Sequence, residues 1–161
     1  MIIETIAFVL MLALYFFSFK FLKINLFTEM LVGIIMGSAW EATTVGNWHY
    51  KGPILFVYGV PVGVVIGWGI MLMTASIISH FLKGAGLRKI AVNAFSTGIV
   101  GVAFEFLCAV VFDLWDYINY PETPLTFVKA FCSYAFGGIL ILNFVQTYGE
   151  DIERLFGLKR K

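Results

Sequence analysis

Glu41 and Glu105 stand at matched places in two otherwise apolar segments. Each follows an aromatic residue, Trp40 and Phe104, and each has a glycine four residues before it, Gly37 and Gly101. In a bilayer interior a carboxylate costs roughly 2.5 to 3.5 kcal/mol on insertion scales unless it is neutral, paired or wetted. Two acids facing one cavity tend to share a proton, one neutral and one ionised. Such a pair can both add and remove a proton. Trp40, Trp48, Tyr50, Trp68, Trp115 and Tyr117 lie in or near the same segments, and aromatic faces stabilise a passing cation. Asp113, eight residues past Glu105, shares its face if the helix continues. A dry acid, a base and π-faces are what protonation of an isoprenoid double bond requires. The competing reading is structural: paired acids held by Ser, Thr and backbone groups would merely fix helix packing.

The elements that must position these residues follow from composition. The 161 residues are 60% hydrophobic and 13% charged, with a mean hydropathy of +0.91. A soluble domain carries about 25% charged residues. The chain is therefore expected to be a single all-α integral membrane domain, located in a prokaryotic plasma membrane. Uncharged runs at 5–19, 30–40, 52–79, 90–104 and 130–149 predict five transmembrane helices at 2–22, 25–45, 54–82, 90–112 and 127–148. Strands are not expected, because the runs are continuous rather than alternating. The first segment carries Glu4, no positive charge and no small-residue cleavage site, so it is expected to stay as a helix. Nine of the 11 Lys and Arg residues fall on one side of five spans. That side is cytoplasmic, with the N-terminus outside and the C-terminus inside.

An internal echo supports two parallel helix-pair repeats, 24–82 and 90–148, with helix one at 2–22 as an extra and a cytoplasmic tail at 149–161. Steps of four back from Glu41 give Gly37, Gly33 and Glu29; from Glu105 they give Gly101, Thr97 and Asn93. Residues four apart share a helix face, and stripes of small residues pack against neighbouring helices. Glu29 falls at the cytoplasmic interface, where snorkelling or capping would occupy it. Beyond the glutamates come Trp48-His49-Tyr50 and Trp115-Asp116-Tyr117, each followed by proline (Pro53; Pro121 and Pro124). An interfacial aromatic belt explains those aromatics alone, but not the matched acids. Parallel repeats place a site at their interface. The third helix carries Gly59, Gly63 and Gly67 as a close-packing face. Pro61 is expected to kink it, freeing the Val57 carbonyl.

Other chemistries find little footing. His49 and His80 fall on opposite sides and cannot share a haem. Phosphate-loop, nucleophile-elbow and zinc-protease spacings do not occur in the sequence. Cys108 and Cys132 could pair near the outer face, or remain buried thiols. No metal and no cofactor is expected. The net charge of +1 argues against a nucleic-acid partner, and Lys159-Arg160-Lys161 is a topology anchor. Expected partners are membrane lipids and a lipid-soluble isoprenoid substrate; the glycine stripes are also compatible with a homo-oligomer.

The run from Glu41 through Tyr50, Gly52-Pro53, Gly59-Val60-Pro61 and Trp68 resembles the carotenoid biosynthesis membrane family that includes the bisanhydrobacterioruberin and related carotenoid hydratases. Gly101 to Trp115 is similar to that family's second acidic helix and aromatic loop, with Glu105 or Asp113 at the acidic position. The resemblance covers roughly 33–120. Pro124-Leu125-Thr126-Phe127 stands where a second Gly-Val-Pro motif belongs. More distantly, transmembrane lycopene and terpene cyclases are similar in using acids on polyenes. The resemblance implies hydration or cyclisation of a long isoprenoid, with Glu41, Glu105 and Asp113 as acids and bases and Trp40, Trp48, Tyr50, Trp68, Trp115 and Tyr117 binding substrate. Two alternatives stay open: a small proton- or cation-coupled transporter or channel, and an assembly subunit. A closed, aromatic-lined pocket marks the enzyme. A polar path through both faces, with Glu29 and Asn93 in its inner half, marks the transporter.

Overall fold

The computed structural model describes residues 2–44, 46, 48–51, 55–57, 59–118 and 123–157. Among them five helices carry most of the chain: α1 Ile2–Leu22, α2 Phe27–Thr44, α3 Val62–Leu82, α4 Leu87–Val111 and α5 Pro124–Leu155. All but α2 are long and apolar enough to cross a bilayer. α2 has 18 residues and buries Thr28, Glu29 and Glu41 alongside Gly33 and Gly37. The long apolar runs are thus helical, as their length and lack of alternation require. α1 stops where Lys23 turns left-handed (φ 59°) and its N–H, with that of Ile24, returns to the Ser18 carbonyl. α5 starts on Pro124, where a missing N–H costs nothing.

Two helix boundaries differ most from expectation, and strands form where none were expected. α3 begins at Val62 rather than 54. The segment before it forms an antiparallel ribbon of β2 (Phe56–Val57) and β3 (Val60–Pro61), turned by Gly59 at φ 78°. Gly59 is therefore not part of the α3 glycine face, and Pro61 leads into α3 instead of kinking it. α5 runs on to Leu155, beyond the expected 148. Its last turns are amphipathic: Val145, Gly149 and Glu153 are buried, while Arg154 faces Glu150 and Asp151 at the surface. Strands, not expected at all, also form at β1 (Trp48–Tyr50) and β4 (Trp115–Tyr117), in the loops rather than the apolar runs. Gly52, Pro53, Tyr58, Pro121 and Lys159 to Lys161 lie outside the described residues.

α3 is the central helix, packed on α1, α2 and α4, while α5 packs on α4 and its second half reaches α2. Met11, Leu26 and Met73 form one buried cluster between α1, α2 and α3. Leu72, Ala75, Leu142 and Val145 form another, joined by Val32 and Val100. At the far end of this second cluster, the Thr28 hydroxyl donates to the Gly149 carbonyl (3.3 Å) and the Glu153 carboxylate (3.4 Å), tying α2 to α5. Glu4, buried near the start of α1, accepts the Leu55 N–H at 2.7 Å and fixes the base of the β2–β3 ribbon. Cys108 is buried and Cys132 exposed, and both are free thiols.

The α2–α3 approach depends on Gly33. A Cβ there would lie 2.8 Å from both the Gly69 Cα and the Trp68 carbonyl, so the two backbones touch. Gly137, also helical, has nothing within 4 Å of such a Cβ. Gly33→Ala should therefore lower stability by about 1–3 kcal/mol, and Gly137→Ala should raise it by about 0.4–1 kcal/mol. Unfolding titrations of the purified protein in mixed detergent check both.

Candidate functional site

Glu41 and Glu105 are 3% and 6% exposed, and each is gripped in the same way. The Trp68 ring of α3 lies against Gly37, where any Cβ would collide with it. From there the Trp68 indole N–H donates to Glu41 Oε1 at 3.3 Å, and the Tyr50 hydroxyl donates to Oε2 at 2.6 Å. On the other side the Tyr134 ring of α5 lies against Gly101 in the same manner. Its hydroxyl donates to Glu105 Oε1 at 2.5 Å, and that of Tyr117 donates to Oε2 at 2.7 Å. The glycine one turn below each acid gives a large ring room to reach the carboxyl above. Both oxygens of each carboxyl are thus satisfied, as burial demands.

The two strand tyrosines reach different acids because β1 and β4 pair antiparallel. The register is Trp48 with Tyr117, His49 with Asp116 and Tyr50 with Trp115. With the centre at His49 and Asp116, Tyr50 and Tyr117 stand at opposite ends, one phenol over each carboxyl. Burial first, then the bond to Glu41, hold the Tyr50 phenol above the usual tyrosine range, so it stays a donor. Lys51 extends the ribbon through its N–H to the Leu114 carbonyl (2.8 Å). Its ammonium bridges Asp113 at 2.5 Å and Asp116 at 2.7 Å, and those bonds hold it above the ordinary lysine range, at about 12.

Asp113 is accordingly not part of the acid pair. Directly after Glu105, α4 changes to wider i→i+5 turns over Phe106–Val111 and then ends, with Asp113 at φ 50°. Eight residues no longer return to the same face, and the Asp113 side chain is 70% exposed. Glu29 also differs from its expected interfacial place. It is buried and accepts a hydrogen bond from Ser76 at 3.0 Å.

Glu41 and Glu105 line one closed hollow of about 10 Å³, near the room one water needs. Trp40, Trp48, Tyr50, Trp68 and Trp115 form its walls with Phe104, Val64 and Tyr134. Tyr117 touches Glu105 from outside these walls. The indole N–H of Trp48 is buried with no acceptor among the described residues, while that of Trp115, also buried, is directed at the Glu105 carboxyl. Trp40 is the half-exposed wall, its ring 6.2 Å from that of Trp68. Among the described residues no three His, Cys, Asp or Glu side chains converge as a metal site would require.

Sequence reasoning missed Tyr134. The signal was present: carrying the echo one helix further sets Tyr134 of α5 opposite Trp68 of α3. Below the hollow, an apolar layer crosses the bundle. Val32 on α2 falls between Glu29 and Glu41, Leu72 on α3 between Trp68 and Ser76, Val100 on α4 between Thr97 and Glu105, and Leu142 on α5 between Tyr134 and Gln146. Beneath it, Ser79 donates to Asn93, and the Asn93 amide donates to Asn143 at 2.8 Å and Gln146 at 3.0 Å.

No protein-family model, characterised protein or solved structure matches the chain, so function is argued from this geometry.

Tyr134→Phe removes one donor from a buried carboxyl and should lower stability by about 1–3 kcal/mol, measured by unfolding of the purified protein. The Lys51 bridge makes a separate prediction. A folded-state pKa raised from 10.5 to about 12 stabilises fully below pH 10.5, and that contribution is lost as pH rises through 12. The stability difference between the wild type and Lys51→Met should therefore shrink across that window.

Proposed function

We propose that this chain is an integral membrane enzyme that protonates a double bond of a long isoprenoid and so hydrates or cyclises it. The observation that carries this reading is the meeting of Glu41 and Glu105 at one closed hollow walled by aromatic rings. One of the two, as the neutral acid, gives its proton to an alkene carbon. The neighbouring carbon becomes the cation, facing tryptophan and tyrosine rings. In hydration a water oxygen bonds to that carbon, and the other carboxylate takes the released proton. In cyclisation a second double bond closes the ring, and the carboxylate takes a proton from carbon. The unpaired N–H donor of Trp48, in a hollow about the size of one water, favours hydration. Trp40, on the exposed wall, is the side chain that must move to admit a polyene from the lipid.

On this reading all five helices cross the bilayer, with the N-terminus outside and the basic side cytoplasmic. α2 crosses with its two acids turned inward onto α3, Glu41 on Trp68 and Glu29 on Ser76, and its opposite face outward. The segments 24–82 and 90–148 are two copies of one helix pair. The matched grips on Glu41 and Glu105 and a strand register that exchanges Trp48 with Trp115 and Tyr50 with Tyr117 support this. The resemblance to carotenoid hydratases supports the substrate class. Transport fits less well, because the layer of Val32, Leu72, Val100 and Leu142 interrupts any polar path between the acids and the groups below.

The test is expression in a cell that makes acyclic carotenoids, with lipid extracts read by mass spectrometry. A product heavier by one water marks hydration, and a new isomer marks cyclisation. Glu41→Gln and Glu105→Gln should each reduce it by about 10²- to 10⁴-fold, while Asp113→Asn should retain it. Unchanged lipids beside acid-dependent ion flux would overturn the proposal in favour of transport.

A further inference from the structure

A second chamber lies at the opposite end of the bundle from the acid pair. Its volume is about 920 Å³, in the range that holds small ligands. Lys23, Lys83 and Lys89 stand on its wall at the end of α1, the end of α3 and the start of α4. None of the three has an ion-pair partner among the described residues. These ammonium groups lie toward the surface.

The deeper wall has the opposite character. Glu29, Ser76 and Ser79 all line the chamber and are all buried. Glu29 is bonded to Ser76, and Ser79 belongs to the Asn93–Gln146 network. A simple anion would meet the Glu29 carboxyl at depth, and a simple cation would meet three ammonium groups against the single carboxylate of Glu150 toward the surface. A zwitterion with its phosphate outward and its ammonium inward satisfies both. Phe19 and Ile24 add apolar wall beside the long exposed apolar surface of α1, where Phe16, Phe17 and Phe21 lie.

We propose that this chamber is a binding site for a phosphate-bearing headgroup with a primary amine, of the phosphoethanolamine class, with Lys83 and Lys89 on the phosphate and Glu29 on the ammonium. It is independent of the chemistry at Glu41 and Glu105.

The experiment uses the full chain, purified in non-ionic detergent and stripped of lipid. It is titrated with short-chain phosphatidylethanolamine, phosphatidylcholine and phosphatidylglycerol, and with O-phosphoethanolamine and inorganic phosphate as free headgroup probes. Native mass spectrometry reads bound ligand, and thermal unfolding reads protection. Phosphatidylethanolamine should bind at least about tenfold tighter than the trimethylated or glycerol lipid. The Lys83→Ala/Lys89→Ala pair should weaken it by about tenfold or more. Glu29→Gln should erase the preference over phosphatidylcholine while leaving phosphate-dependent binding. Lys23→Ala, on an exposed side chain of the same wall, should weaken phosphatidylethanolamine binding by about threefold or more, and it keeps the test decisive should the Glu29 variant fail to fold. Protection by O-phosphoethanolamine alone would assign the site to a soluble phosphoamine, and protection by the lipid alone to a headgroup; either supports the site. Equal binding of the three lipids, or wild-type affinity in the double lysine variant, would overturn it.

Discussion

A carboxyl group inside an apolar bundle must have both oxygens occupied, and that requirement shapes the upper half of this molecule. An unpaired buried polar group costs several kcal/mol, and an unpaired charge far more. Glu41 and Glu105 avoid that cost through Tyr50 and Trp68 on one side and Tyr117 and Tyr134 on the other. All four donors are aromatic, so the groups that satisfy the acids also exclude water from them. Gly37 and Gly101 exist in these positions to admit the Trp68 and Tyr134 rings. The β1–β4 ribbon exists to hand one phenol to each acid, and Lys51 with Asp113 and Asp116 clamps its edge.

The same construction explains why the hollow is small. Rings that donate to the carboxyls also fill the space between them, leaving about 10 Å³. Preorganised donors around a dry acid pair are what proton transfer to a weakly basic carbon needs. On the proposed reading, admission of a long substrate falls to Trp40, the half-exposed wall. The wider turns of α4 immediately after Glu105 belong to this picture.

The bundle is divided along its length. The layer of Leu72, Ala75, Leu142 and Val145 is close-packed and apolar, so the acid pair and the lower amide and hydroxyl network do not communicate through hydrogen bonds. The larger chamber opens onto the lower set alone, which separates any ligand bound there from the aromatic site.

Much of this was legible in the residues. Apolar runs longer than any strand gave five helices, and the four-residue stripes below Glu41 and Glu105 gave their buried faces. The aromatic walls followed from their nearness to the acids in the sequence, although an interfacial belt accounts for the same residues. Local spacing failed wherever a backbone hydrogen bond to a distant segment decided the conformation. The apolar run before Val62 is as hydrophobic as a helix but pairs as a ribbon, with Gly59 turning it. Asp113 has helical spacing to Glu105 but sits past a helix end that only the fold of the β1–β4 loops imposes. Tyr134 is 29 residues from the acid it binds, and Trp48 meets Tyr117 across two helices. Composition and periodicity fixed which segments are helical and which face each turns inward, because those depend on neighbours within a turn. Tertiary packing alone decided which donors reach which acid and how little space remains between them, because those depend on contacts between segments that no local period connects.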